Sequence, residues 1–558
     1  MRKALVTAVI LGGIVLPNSM AWAEETPDTP TDVIVVGGTS VIADGVLAHL
    51  NACTDESAQR IAGSNRYATA SRIGALSNAT GGTTYVASAE QFPDALAAGA
   101  AANALGRTLV LVAQNTVPAP SLAALDRIAP DSIIIVGGTA AIASSVEGTL
   151  RQRYGNVTRS AGSNRYASTV EVSAEAFPAG SDAVIIATGE GFVDALAATP
   201  LAAHLGAPLL LTKGSSLPKE VASELARLNP TNVYIAGGTA VVTDEVEAAI
   251  GSAVTGASII RMAGTNRYDT ARRITSLLPP NPERVLAVTS TNFPDALAAG
   301  AIAGTNPLVL VDPIGLNGVS ASMVAAATGL PCNPMIRLGT FTTYHPSGQS
   351  RVINIHLVAD QVDGAVTLPG EVFSINGRTG QRTEAKGYVP AGAIIGGELV
   401  CCDHPANIGG GTSQFATTLY NAAFYAALED IFHRPHSIYF SRYPLGVEAT
   451  LHWTSPDVKF RNDTEWPTMI DASYSSTSIT VDIWGWHGGR KVDHSVTGSA
   501  TTADGGEVDV VRVRTFPDGS TKTDTWHHKY NPLKEASEEP DPEPPPPSDP
   551  DPPGPTPS

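Results

Sequence analysis

Three runs of consecutive apolar residues, each closed by two glycines and a threonine, punctuate the first half of the chain. They are Val33-Ile34-Val35-Val36-Gly37-Gly38-Thr39, Ile133-Ile134-Ile135-Val136-Gly137-Gly138-Thr139 and Val233-Tyr234-Ile235-Ala236-Gly237-Gly238-Thr239. An unbroken apolar run of this length suits a strand buried on both faces of a parallel sheet, the glycines suit a tight turn, and the threonine suits a helix N-cap. Between the runs the period changes. Residues 84–88 read as a strand, residues 92–105 as an Ala-rich helix with Pro93 in its first turn, and residues 108–112 as the next strand. Strands alternating with helices predict α/β modules with parallel sheets and short loops.

Two further phrases recur in step with the first. One is Ala62-Gly63-Ser64-Asn65-Arg66-Tyr67, repeated from Ala161 and, with Thr265 for Ser, from Ala263; the other is Phe92-Pro93-Asp94-Ala95-Leu96, repeated from Phe192 and Phe293. Recurrence at so long a period means whole supersecondary modules. The order of the phrases predicts how the modules close. The chain opens with an orphan Gly-Gly-Thr unit, and the third module runs out without one, so the first unit is expected to complete the third module and close a ring. Cys53 follows the orphan unit and Cys332 follows the truncated module, so a Cys53–Cys332 disulfide is expected to clasp the closure, the alternative being two buried thiols.

From about residue 337 this vocabulary stops. The densest phrase of the second half is Gly409-Gly410-Gly411-Thr412-Ser413-Gln414-Phe415, which reads as a flexible loop entering a helix N-terminus, where open N–H groups can hold a carboxylate or an oxyanion. His433, Arg434 and His436 follow it. Ser413 reads either as a helix cap or as a nucleophile needing His433 or His436 as its base. Asp403, His404, His433 and His436 match no zinc spacing, and no metal site is expected. Vicinal Cys401 and Cys402 read equally as a strained disulfide or as thiols. Residues 479–486 and 507–526 alternate as strands around Pro517-Asp518-Gly519, and residues beyond 532 are rich in proline and acid, as in a disordered tail.

The compartment is read from the first residues. Arg2 and Lys3, the apolar run 4–16 and Ala21-Trp22-Ala23 predict a signal peptide cut after Ala23, and no later segment is long and apolar enough to span a membrane. The formal net charge of −18 is spread along the chain and argues against a nucleic-acid partner. An anionic polymer could be held only at local basic sites. Gly-Gly-Thr is not a phosphate cradle of the Gly-x-Gly-x-x-Gly type, and no cofactor is expected.

The three phrases resemble the type 2 cell-wall-binding repeat, in which three α/β modules form a pseudo-threefold unit. That resemblance implies non-covalent attachment to an anionic secondary polymer of a Gram-positive wall. It points to the strand segments carrying Leu109, Leu111, Leu209, Leu211, Leu308 and Leu310, with Arg66, Arg165 and Arg267 as the basic groups; a structural role for these arginines and leucines is the competing reading. The second half resembles the VanW family, named for its occurrence in vancomycin-resistance clusters, which implies a role at peptidoglycan without giving a reaction. Many of its members carry Cys where Ser413 stands here. The expected organisation is a signal peptide (1–23), a linker (24–31), three repeats (32–332), a VanW-like α+β domain (337–484), a β-rich extension (485–533) and a tail (534–558). The expected function is an exported, wall-associated protein that binds the polymer and presents the second domain to peptidoglycan. Its alternatives are a wall-anchored acyl hydrolase or transferase acting through Ser413, His433 and His436, and a structural surface-layer protein; catalysis stays open.

Overall fold

The computed structural model describes residues 31–395, 398–400 and 408–533. The predicted signal peptide, Cys401, Cys402, Asp403, His404 and the tail lie outside the described residues. The first half contains three four-stranded, all-parallel sheets. The first is built from Thr108–Val112, Thr83–Ser88, Ser132–Val136 and Val157–Ser160, and the second from Leu209–Thr212, Ala183–Thr188, Asn232–Ala236 and Ser258–Met262. The third draws on both ends of the region: Leu308–Val311 and Arg284–Thr289 pair with Asp32–Val36 and Gln59–Ile61, with Asp32 opposite Arg284 and Val33 opposite Val285. The orphan first unit thus fills the third sheet. A disulfide joins Cys53 to Cys332 beside that junction.

The Ala-rich helices meet at the centre of the ring. Phe92–Leu105, Thr199–Leu205 and Pro294–Ile302 pack on one another through small side chains. A β-carbon at Gly99 would lie 3.6 Å from that of Ala301, and one at Gly300 only 2.8 Å from the Thr199 hydroxyl, so larger residues would separate the modules. At one end Phe92, Phe192 and Phe293 converge, with ring centroids 5.7 to 6.1 Å apart. Elsewhere along the contact, Asn103 of the first module donates to the Thr199 and Gly304 carbonyls of the other two.

The expected Thr N-cap is corrected by the structure. Thr39, Thr139 and Thr239 are exposed in a turn, and the helices start later, at Asp44, Ser144 and Asp244. Gly38 explains the delay: its carbonyl accepts from the N–H groups of Val41 and Ile42, so the chain closes one turn before it enters the helix. Gly37, Gly137 and Gly237 have φ of +119°, +104° and +114°, a region that favours glycine.

In the second half, Ile336–Tyr344, Ser478–Gly485, Thr468–Tyr474 and Val366–Thr367 form an antiparallel sheet, with the helices Ser350–Val362 and Ser413–Tyr425 packed on it. The smaller sheet of Val372–Ser374, Lys459–Arg461 and Glu429–Phe432 adjoins it. Residues 491–530 form a three-stranded antiparallel sheet, Lys491–Thr501, Gly505–Thr515 and Thr521–Tyr530. It packs on the helix Ser413–Tyr425 through the buried Arg512, whose guanidinium lies 4.8 Å from the Phe424 ring and pairs with Asp524 at 2.7 Å. Buried Arg514 is likewise paired, with Asp463 at 3.0 Å, as buried charges require. The two halves of the chain also touch directly. Met469 and Trp466 of the second domain join the apolar cluster around the helix Asp44–Ala52, and His49 of that helix lies 4.8 Å from the Trp466 ring.

Candidate functional site

Ser413 and His436 line one cavity of about 1080 Å³ in the second domain. The triple glycine shapes its wall. Gly409 and Gly411 adopt φ of +85° and +87°. A β-carbon at Gly410 would lie 2.3 Å from the Ala391 carbonyl oxygen, and one at Gly411 2.6 Å from the β-carbon of Arg351. Asn354 fastens the corner, donating to the Gly410 carbonyl at 2.9 Å and the Val389 carbonyl at 2.8 Å. The segment expected to be flexible is therefore a close-packed corner. Thr412 takes the N-cap position and its hydroxyl donates to the Gly409 carbonyl. Ser413 is accordingly not the cap: it begins the helix, and its Oγ accepts the Leu451 N–H at 3.1 Å.

His436 is held by an acid. Its Nδ1 lies 2.6 Å from Oε2 of Glu448, which is fully buried, and its ring stacks on Tyr443 with centroids 5.2 Å apart. A carboxylate on Nδ1 fixes the tautomer and leaves Nε2 as the working nitrogen. His433, the other predicted base, is elsewhere. Its side chain is buried, with Nδ1 2.6 Å from Asp430, and it packs against Tyr420, Trp526 and His528 under the C-terminal sheet. The chain turns its ring inward after the strand Glu429–Phe432, away from the cavity that holds Ser413 and His436.

The cavity is cationic. Arg382, Arg434, Arg442 and Lys529 line it, and among the described residues Glu384 is its one acidic lining residue. Arg382 is 7% exposed; its Nη2 donates to Asn376 Oδ1 at 2.8 Å, while Nε and Nη1 have no hydrogen-bond partner among the described residues. Burial pushes its guanidinium below the ordinary value, opposed by the charges of Tyr388 and Asp457. Sequence reasoning missed Glu448 as the partner of His436 and Arg382 as a cavity group. An acid amid the apolar residues Gly446-Val447-Glu448-Ala449 was the available signal for the first.

In the ring, the recurring phrases meet at module boundaries. Asn65, Asn164 and Asn266 cap the helices that follow them, each accepting two backbone N–H groups. Arg66, Arg165 and Arg267 each donate Nη1 to a carbonyl just past a strand, at Ala89, Gly189 and Ser290. The aspartates run cyclically. Asp94 faces Arg165 of the second module, Asp194 faces Arg267 of the third, and Asp295 faces Arg66 of the first. Burial raises all three carboxyls above the usual range; hydrogen bonds from Ser168 to Asp94 and from Thr69 to Asp295 oppose it, and at each aspartate so does the facing arginine. A β-carbon on Gly137, Gly237 or Gly37 would press on the same aspartates. A smaller cavity of about 180 Å³ lies at one boundary, lined by Gly38, Ser64, Asn65, Arg66, Asn292 and Asp295 among others. By contrast, Leu111, Leu209, Leu211, Leu308 and Leu310 are 2% exposed or less, and Leu109 is half-buried.

Residues 60–147, 159–247 and 261–344 match the family model for cell wall binding domain 2 (CWB2), and residues 350–484 match the model for VanW like protein. The chain is three CWB2 repeats followed by a VanW-like domain. That is the architecture of a cell-wall-associated protein. Curated relatives include N-acetylmuramoyl-L-alanine amidase LytC of Bacillus subtilis, 29% identical over 47% of this chain and 51% of its own. They also include YoaR of the same organism, 36% identical over 26% of this chain and 48% of its own, and its amidase enhancer, 28% identical over 54% and 41%. The chain spans about half the length of the curated relatives it matches or less. Among solved structures, Cwp8 from Clostridium difficile aligns with a TM-score of 0.44 at 22% identity, covering 48% of this chain and 46% of that one. The third CWB2 match runs through the whole strand Ile336–Tyr344, which belongs to the sheet of the VanW-like domain; the strand that completes the third CWB2 module is Asp32–Val36.

Proposed function

We propose that the CWB2 ring holds this protein non-covalently on an anionic wall polymer of a Gram-positive bacterium, and that the VanW-like domain is thereby presented to peptidoglycan. The observation that carries this reading is the convergence of all three recurring phrases at module boundaries, where Arg66, Ser64 and Asn292 line a cavity beside Asp295. An arginine already donating to a carbonyl still has N–H groups to offer an anion. The polymer is therefore read as meeting these loops and the strand ends near Leu109. The buried leucines support the strands beneath. Two relatives, one named an amidase and the other an amidase enhancer, favour a wall setting.

The test is co-sedimentation of the secreted protein with purified walls before and after removal of the secondary polymer. Retention on intact walls, loss on stripped walls and a fall in binding with salt are expected. Joint replacement of Arg66, Arg165 and Arg267 by Gln should weaken retention about tenfold or more. Undiminished binding to stripped walls would falsify the anchor reading.

A second reading has its own support. Ser413 and His436 share a cavity, and Glu448 orients His436 as the acid of a nucleophilic triad does. On this reading the VanW-like domain is an acyl hydrolase or transferase. Release of product from muropeptides, lost in both Ser413→Ala and His436→Ala proteins that stay folded, is the outcome it requires.

A further inference from the structure

Buried and exposed residues alike line the cavity of the VanW-like domain. The buried lining residues include Arg382, Thr412, His436 and Tyr443, whereas Arg434, His452 and Trp453 are exposed and mark the mouth. Two features of the lining belong to the same cavity. One is the N-terminus of the thirteen-residue helix Ser413–Tyr425, where the side chain of neither Thr412 nor Ser413 caps an N–H group. The other is Arg382, more than nine-tenths buried, with two nitrogens that find no hydrogen-bond partner among the described residues. A buried guanidinium left partly unpaired costs stability unless a ligand completes it. The positive end of a helix beside it favours the same sign of ligand.

We propose that this cavity is a receptor for a peptide's free C-terminal carboxylate, seated between Arg382 and the first turn of the helix Ser413–Tyr425. Arg434 draws the anion in at the mouth. The aromatic and apolar part of the wall, Phe440, Tyr443, Leu451 and Trp453, takes the small side chains of the last residues. This wall decides between a peptide and a phosphate polymer. A strand charged at every repeat would lay phosphates against those rings, whereas a peptide has one charge at its end and apolar groups behind it. The proposal rests on the peptidoglycan reading of this domain only for the source of the peptide.

The experiment is titration of the full-length secreted protein, followed by calorimetry and ligand-observed NMR, with three probes: acetyl-Ala-Ala, its C-terminal amide, and glycerol 3-phosphate. The acid should bind and the amide should bind about tenfold more weakly or worse. Arg382→Gln should reduce acid binding to the level of the amide. Because that side chain is buried, Arg434→Gln serves as the second variant: its position is exposed, so the fold is kept, and acid binding should weaken about threefold with a smaller salt dependence. Equal binding of acid and amide, preference for glycerol 3-phosphate, or no binding of the acid at ~5 mM would each overturn the proposal. Sedimentation with peptidoglycan tests the source separately. If the acid binds but peptidoglycan does not retain the protein once the ring's polymer is removed, the carboxylate receptor stands and the peptidoglycan reading fails.

Discussion

At the scale of single residues, the tightest constraint in the VanW-like domain is Gly410, whose absent side chain leaves room for the Ala391 carbonyl. Gly410→Ala should cost about 2–4 kcal/mol and open the cavity wall. Urea unfolding measures the first effect, and loss of probe binding measures the second; an unchanged midpoint would show that the segment around Ala391 yields. His49 offers a second test. Burial pushes its pKa down to about 4 from the ordinary 6.5, opposed by its hydrogen bond to the Asn333 carbonyl. The unfolded chain therefore takes up the proton first. His49 stability is complete above pH 6.5 and is lost as pH falls toward 4, on the order of 3 kcal/mol at full titration. His487 and His528, also pushed down to about 4, act in the same direction. Melting temperatures between pH 7 and 4.5 should fall less steeply in His49→Gln than in the parent. Much of this was hidden in the sequence. The pairing of His436 with Glu448 needs the chain to double back over twelve residues, and the partnerless nitrogens of Arg382 are properties of a cavity that no local pattern describes.

At the scale of elements, the sequence spoke more clearly. Residues 84–88, 92–105 and 108–112 form the strand, helix and strand their patterns predict, because an apolar run sets burial and a Pro-containing first turn sets the helix start. The Gly-Gly-Thr phrase misled as to where its helix begins, since the pattern of an N-cap and that of an exposed turn share the same residues. The purpose of the phenylalanines was also invisible in one dimension: each sits at the same point of its own module, and only threefold assembly brings the rings together. Phe192→Ala should remove two ring contacts, one tilted and one edge-on, and about 1–3 kcal/mol. The loss should appear in the thermal unfolding of the ring, and a change below about 0.5 kcal/mol would mean that the half-buried rings contribute little to assembly.

At the scale of the whole molecule, the ring and the VanW-like domain are joined at a packed contact, with Met469 against the helix Asp44–Ala52. The disulfide lies close by and bridges a sequence separation of 279 residues. In the chain-entropy model a loop of that length corresponds to about 5.6 kcal/mol, so mild reduction should lower the melting temperature markedly, and Cys53→Ser with Cys332→Ser should reproduce the effect. An unshifted melting curve after verified alkylation of both thiols would show that the closure holds without its clasp.

The strand Asp32–Val36 has a further consequence, one of timing. A polypeptide is made from its N-terminus, so this strand exists long before Arg284–Thr289, the neighbour it lies beside. The first two sheets draw on consecutive stretches and can finish while it waits. The oldest and the youngest parts of the ring therefore form its last joint. A chain halted before residue 284 would carry a completed pair of modules and one apolar ribbon with an empty edge, free to pair with the same ribbon of another stalled chain.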